Sequence, residues 1–166
     1  MKKFSTFKFD HRRVYKINEQ EEIFDQDQDN QPEMIEENSV SGPSKFFSKL
    51  FESREMAHVY HLSVKGDMGS YAAHVALQTY YEGILEFIDD LIEIYQGQYG
   101  LIENFEVIDT SSTKSQEPIA YFEDLVMFVK STRNESLSSE DTHLQNIVDE
   151  VIALIYKTLY KLKFNK

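Results

Sequence analysis

The stretch that decides the fold runs from residue 58 to residue 93 and reads HVYHLSVKGDMGSYAAHVALQTYYEGILEFIDDLIE. It holds three of the five histidines, His58, His61 and His74. A glycine-containing break, KGDMG at residues 65–69, separates two segments whose apolar residues recur at helical spacing. We therefore expect two long helices joined by a short turn, with the histidines close to the junction.

The second of these helices ends in a pair of carboxylates, Asp89 and Glu93. Their i,i+4 spacing places both on one face of a helix. His74 lies fifteen residues before Asp89, which is roughly 22 Å along an unbroken helix. Metal ligands lie about 2 Å from the ion, so His74 and Asp89 of one chain cannot share it. A second chain packed antiparallel could supply the carboxylates, so a metal site made from this set predicts a dimer.

These residues resemble the Dps-like branch of the ferritin superfamily. The resemblance rests on four features: Tyr60-His61, Val64-Lys65-Gly66, His74 and Asp89-x-x-x-Glu93. It extends over about residues 44–163 and implies a ferritin-like bundle of four helices. It also implies a homo-oligomer, a dimer or a larger cage, that binds and oxidises iron between two-fold-related chains. His61 and His74 would come from one chain. Asp89 and Glu93 would come from its mate.

Three positions depart from the pattern of that family. His61 and His74 are thirteen residues apart where twelve is usual, and Leu62 stands where the family often has tryptophan. Gln78 stands where the family usually has a carboxylate, which would leave a second iron with fewer ligands. Three further side chains of this stretch are secondary candidates for metal binding: His58, Gln78 and Glu82.

The composition limits the classes of function that remain. A formal net charge of −12 opposes general binding to nucleic acids or anionic membranes, and it departs from the basic tails of DNA-binding Dps-like proteins. With 41% apolar residues the chain can fill the core of one domain, and its 6 Gly and 3 Pro favour long helices. The absence of cysteine excludes disulfides and thiolate metal sites and is typical of a reducing compartment.

The chain has no segment that is typical of secretion or of membrane insertion. No run approaches the roughly 20 apolar residues of a membrane span. The first residues, MKKFSTFK, lack the apolar centre of a secretory signal. We therefore expect a cytoplasmic protein that does not enter the membrane, or a virion component if the gene belongs to a phage.

The N-terminal quarter differs in composition from the rest. Residues 1–16 carry six Lys or Arg against one Asp, whereas residues 17–40 carry nine Asp or Glu and no Lys or Arg. Neither part has the apolar periodicity that a core needs. We expect residues 1–42 to form a disordered or extended arm with an acidic linker, and residues 43–166 to form the bundle. Any binding to nucleic acid would be weak and confined to residues 2–16.

The rest of the chain predicts four helices with one long connection. Residues 101–118 separate the second helix from the third, which matches the long B–C crossover of ferritin-like bundles, and a short helix is expected near residues 101–105. Ser44 and the capping-box pair Ser138 and Asp141 are the expected start signals of the first and last helices. The predicted helices are Ser44–Leu62, Ser70–Gln98, Ile119–Arg133 and one that begins at Ser138.

Two hypotheses follow for the function. In the first, the protein is a Dps-like ferroxidase, with iron as its substrate, that stores iron or protects against oxidation. In the second, it is a redox-silent ferritin-like oligomer with a structural or interaction role, such as a phage virion component. The retained His61, His74, Asp89 and Glu93 favour the first, whereas Gln78 and the charged arm favour the second. The histidines would then be packing residues at a helix end.

Overall fold

The computed structural model describes residues 42–64 and 71–165, and within these ranges the chain is helical with no strand. The predicted all-α class and the four predicted helices are confirmed. Residues 1–41 of the expected 1–42 arm and linker, and the expected turn at residues 65–69, lie outside the described residues. Gly42 belongs to the first helix. The four helices are α1 Gly42–Ser63, α2 Tyr71–Tyr99, α3 Pro118–Ser136 and α4 Thr142–Phe164.

Each helix turns one apolar stripe inward because its large apolar residues recur every three or four positions. Burying each such side chain contributes roughly 1.5–3 kcal/mol, so these stripes supply most of the stability of the bundle. The longest stripes belong to α2, with Leu77, Tyr80, Ile84, Ile88 and Leu91, and α4, with Leu144, Val148, Val151, Ile155 and Leu159.

No helix of the described ranges combines the length and the apolarity that crossing a bilayer requires.

The helices pack as a four-membered bundle in which α1 and α4 lie diagonally opposite. Both α1 and α4 pack on α2 and on α3. Phe47 near the start of α1 contacts Tyr95 near the end of α2, with ring centroids 5.5 Å apart, so these two helices are antiparallel. Tyr60 near the end of α1 contacts Tyr121 near the start of α3, with centroids 5.8 Å apart. Hence α1 and α3 are antiparallel as well.

The connection between α2 and α3, residues 100–117, runs along α1 from its first turns to its last. The backbone N–H of Glu106 donates to the hydroxyl of Ser48 near the start of α1, at 2.8 Å. The hydroxyl of Tyr60, near the end of α1, donates to the carbonyl of Gln116 at 3.0 Å. The connection therefore crosses the length of the bundle, and α3 runs parallel to α2.

The expected N-cap at Ser44 is wrong. The first helix begins at Gly42, and Ser44 lies buried within its first turn. The Ser44 hydroxyl donates to the carbonyl of Asn104 in the crossover. A contact between distant parts of the chain thus uses the hydroxyl that the local sequence pattern assigned to a cap.

Two further local predictions are also wrong. The last helix begins at Thr142 rather than Ser138, and the carboxylate of its N-cap, Asp141, makes no capping bond. Residues 101–105 form no helix, because they lie along α1, where Phe105 packs on Phe51 with ring centroids 6.1 Å apart. The crossover instead contains one 3-10 turn, Ser111–Lys114.

Candidate functional site

The structure brings His61 and His74 together in a stacked pair. Their ring centroids are 3.7 Å apart and their planes are tilted by 25°. The Nδ1 of His61 lies 3.0 Å from the carbonyl oxygen of His74, and the Nδ1 of His74 lies 3.2 Å from the carbonyl oxygen of His61. A carbonyl oxygen only accepts hydrogen bonds, so both Nδ1 atoms carry the proton. In the neutral rings, both Nε2 atoms therefore carry the free lone pair.

The ends of two antiparallel helices create this pair. His61 lies in the last turn of α1, and His74 lies in the first turn of α2. The last four carbonyls of a helix have no partner within it, and the carbonyl of His61 is one of them. The ring of His74 donates a hydrogen bond to that carbonyl, and the ring of His61 donates one to the carbonyl of His74 in α2. The pair thus joins the end of α1 to the start of α2.

Two more aromatic side chains extend the pair along the α1–α2 surface. The ring of Tyr81 lies 4.5 Å from the ring of His58 and 5.4 Å from the ring of His61, in an edge-on contact. His58 and His61 are 6.3 Å apart between centroids. Tyr81 was not among the predicted site residues. It lies seven residues after His74, two helical turns along the same face, and this spacing was the signal that could have identified it.

The structure does not bring Asp89 and Glu93 to the histidines of the same chain. Both carboxylates are exposed on α2, and α2 is continuous from Tyr71 to Tyr99, so the separation from His74 stays at roughly 22 Å. Among the described residues, no group of three or more His, Cys, Asp or Glu side chains could hold a metal ion. Any site that combines the histidines with these carboxylates needs a second chain.

Gln78 and Glu82 lie on α2 between His74 and the carboxylates Asp89 and Glu93, and their side chains bind each other. The amide of Gln78 donates to the carboxylate of Glu82 at 2.9 Å, one helical turn further along. Gln78 therefore has a structural partner at the position where a metal ligand was considered. The exposed stripe beyond it is acidic and contains Glu82, Glu86, Asp89, Asp90 and Glu93.

The stacking of the histidines limits how they can bind metal. A histidine nitrogen binds an ion at about 2.0–2.1 Å, and its lone pair lies in the plane of the ring. The two rings are stacked 3.7 Å apart and their planes differ by only 25°. Their lone pairs therefore lie in nearly parallel planes and do not meet at one ion that is this close to both rings. As it stands, the pair suits an ion on each ring or an ion on one ring, rather than one ion between them.

Comparison with known proteins gives a family for most of the bundle. Residues 61–162 match the DUF5856 family, which is described as a family of unknown function. The chain belongs to the DUF5856 family. The matched range begins at His61 and includes His74, Asp89 and Glu93, together with α2, α3 and most of α4. No curated protein and no solved structure matches the chain.

Proposed function

We propose that this member of the DUF5856 family is a ferritin-like, Dps-like homo-oligomer that binds and oxidises iron between two-fold-related chains. The observation that carries the proposal is the stacked pair of His61 and His74. Metal-binding histidines almost always donate their second ring N–H to a carbonyl or carboxylate, which fixes the tautomer and the ring orientation. Both rings of this pair make that bond, and both leave Nε2 available.

The chemistry of the ligand set also supports iron as the substrate. Imidazole suits ferrous iron, and carboxylate oxygens suit the harder ferric product. Asp89 and Glu93 supply the carboxylates when a partner chain packs antiparallel along α2. The electron removed from each ferrous ion would pass to dioxygen or peroxide. Such a protein would store iron or protect against oxidation in the cytoplasm.

The architecture of the bundle is in keeping with this proposal. Ferritin-like bundles are distinguished from simple up-and-down bundles by one long crossover connection. Residues 100–117 run along α1 in that manner, held by the bonds of Ser48 and Tyr60. The uncharged Gln78 is bonded to Glu82, so we expect one iron to bind more tightly than a second.

An anaerobic ferrous titration tests the proposal. Addition of air or peroxide to the iron-loaded protein should produce a near-ultraviolet ferric band. The double variant His61→Ala/Asp89→Ala should lose that band and keep its helical circular dichroism. Light scattering should give two or more chains per particle at micromolar concentration. An unmodified protein that takes up no iron, or that is a strict monomer, would overturn the proposal.

The second candidate is a redox-silent oligomer with a structural or interaction role, such as a phage virion component. The bond between Gln78 and Glu82 favours it, because it pairs two of the three secondary ligand candidates with each other. The histidine pair would then be a joint between α1 and α2, and the outer carboxylates a solvated stripe. Assembly into oligomers without iron uptake is the result that would select this candidate.

A further inference from the structure

The outer surface between α3 and α4 carries an apolar groove on the side of the bundle away from the histidines. Its volume is about 520 Å³, and its floor contains the buried residues Val126 and Leu159. Met127 and Tyr160 on its walls are 67% and 60% exposed. So much exposed apolar surface on neighbouring helices is typical of a place where another molecule binds.

The groove lies in the one strongly basic part of the described bundle. Residues 151–165 contain three lysines and no Asp or Glu, although the whole chain has a net charge of −12. Lys163 lines the groove, and Lys130 places its ammonium group 5.3 Å from the ring of Tyr156. Glu123 on the rim pairs with Lys163 at 2.5 Å, and these two charges offset each other. The remaining positive charge at the groove is that of Lys130, which donates to the hydroxyl of Tyr156. An apolar occupant with negative charge fits this surface best.

The crossover offers a surface with the complementary character. Residues 101–109, LIENFEVID, alternate apolar residues with three carboxylates and contain no Lys or Arg. Leu101 and Val107 are 83% and 92% exposed. Asp109 accepts hydrogen bonds from the backbone and the side chain of Ser111, and these bonds lower the pKa of its carboxyl group, so it stays charged. We call residues 101–109 the acidic strip.

The acidic strip cannot fill the groove of its own chain. It is held along α1 by the bond of Glu106 to Ser48, and α1 lies diagonally opposite α4 in the bundle. We infer that the acidic strip of one copy occupies the α3–α4 groove of the next copy. The contact joins two different surfaces, so it is heterologous, and repeating it forms a ring, a filament or, with a two-fold dimer, a closed shell.

Charge reversal on each side tests this inference in the full-length protein. The groove variant is Lys130→Glu/Lys163→Glu, and the strip variant is Glu103→Lys/Glu106→Lys. The control, Lys45→Glu/Lys114→Glu, reverses two exposed lysines elsewhere. Sedimentation velocity of the unmodified protein should show particles larger than two chains. Each variant alone should need at least about tenfold more protein to form them, since its own two surfaces now repel.

Mixing the two variants provides the decisive measurement. In an equimolar mixture, each groove meets a strip of opposite charge on the other variant, so the large particles should return. The neutral changes Tyr160→Gln and Val107→Gln, both at exposed positions, test the same surfaces if a charge reversal unfolds the chain. A response of the groove variants without any response of the strip variants would mean that another molecule fills the groove, which overturns the inference.

Two other results would also overturn it. One is a protein that never exceeds two chains, and the other is a mixture that stays dissociated. This contact does not depend on the iron site, because none of the four altered residues belongs to the histidine cluster or to the acidic stripe of α2. A two-chain particle that takes up iron would refute the contact and leave the proposed function intact.

Discussion

His61 and His74 hold each other's backbone: each Nδ1 donates to the other residue's carbonyl, and the rings stack 3.7 Å apart. The same two side chains therefore join α1 to α2 and present two Nε2 atoms of fixed tautomer. The structural role needs only the Nδ1 side of each ring. The Nε2 atoms remain available to bind a ligand, and separate measurements can distinguish this ligand binding from the structural role of the Nδ1 atoms.

The structural role predicts a measurable loss of stability in His61→Ala. The change removes the stacking contact and the hydrogen bond from the His61 ring to the carbonyl of His74, so we expect the free energy of unfolding to fall by about 1–2 kcal/mol. His74→Ala should cost a similar amount, and the double variant less than the sum, with a coupling of at least about 0.5 kcal/mol. Urea denaturation followed by circular dichroism measures these values. The neighbouring change Leu62→Ala, at an exposed position, is the control, and strict additivity of the two histidine changes would contradict the pairing.

The hydrogen bond between the buried hydroxyls of Ser53 and Tyr80 predicts that substitutions of these two residues differ in how much stability they cost. Ser53 donates to the carbonyl of Leu50 at 2.7 Å, so its bond with Tyr80, at 2.8 Å, uses the tyrosine proton. Ser53→Ala leaves a fully buried phenol without an acceptor and should cost about 1–3 kcal/mol. Tyr80→Phe leaves the serine bond intact and should cost less, about 0.5–1.5 kcal/mol.

The double variant Ser53→Ala/Tyr80→Phe separates the two causes. It removes the phenol that Ser53→Ala leaves unpaired, so it should be no less stable than Ser53→Ala alone. Chemical denaturation of the three variants at neutral pH gives the comparison. A larger loss in Tyr80→Phe than in Ser53→Ala would reverse the direction assigned to this hydrogen bond.

Asp141 predicts a dependence of stability on acid pH. Its carboxylate accepts hydrogen bonds from the hydroxyl of Tyr99 at 2.5 Å and from the amide of Gln98 at 2.9 Å. These bonds lower its pKa, with the Tyr99 bond as the main cause. The stability they contribute is present above the unfolded-state pKa of about 3.9 and is lost as the pH falls through the lower folded-state value.

The substitution Asp141→Asn should therefore lower the urea midpoint at pH 7. The difference from the unmodified protein should shrink as the pH is lowered towards 2. Asp90→Asn, at an exposed carboxylate of α2, is the matched control and should show neither effect. A difference that is the same at pH 7 and at pH 2 would mean that the charge of Asp141 is not what stabilises the junction of α2 with α4.

The sequence predicted the parts of this fold that depend on periodicity. The apolar spacing of residues 71–99 identified α2 to within a residue at each end, because a 3.6-residue repeat extends over many positions. The expectation that His61 and His74 lie close to one junction followed from their positions at the end of one predicted helix and near the start of the next. The pairing of each ring with the other's backbone did not, because sequence spacing carries no information about rotamers.

Local signals failed where a distant segment competed for the same side chain. Ser44 looks like an N-cap, yet the crossover uses its hydroxyl. Asp141 looks like part of a capping box, yet the end of α2 uses its carboxylate. Both partners lie more than forty residues away in sequence. A pattern that spans four residues carries no information about such distant contacts.

The proposed sharing of a metal site between two chains predicts complementation between two inactive variants. His61→Ala/His74→Ala keeps the carboxylates, and Asp89→Asn/Glu93→Gln keeps the histidines. Each variant alone should fail to bind iron, because every site of its homodimer lacks one half of the ligands. When the two are unfolded together and refolded, half of the dimers should contain both chains, and each of these dimers has one intact site.

The mixture should then recover about a quarter of the iron-binding capacity of the unmodified protein, as random pairing across a two-fold axis requires. Anaerobic ferrous titration with the ferric absorbance after oxidation gives the capacity. As a matched control, each double variant is unfolded and refolded alone; its dimers contain no intact site, so no binding should return. Full activity of either double variant alone would show that the histidines and the carboxylates do not act at one site, and an inactive mixture with normal dimer content would remove the shared site altogether.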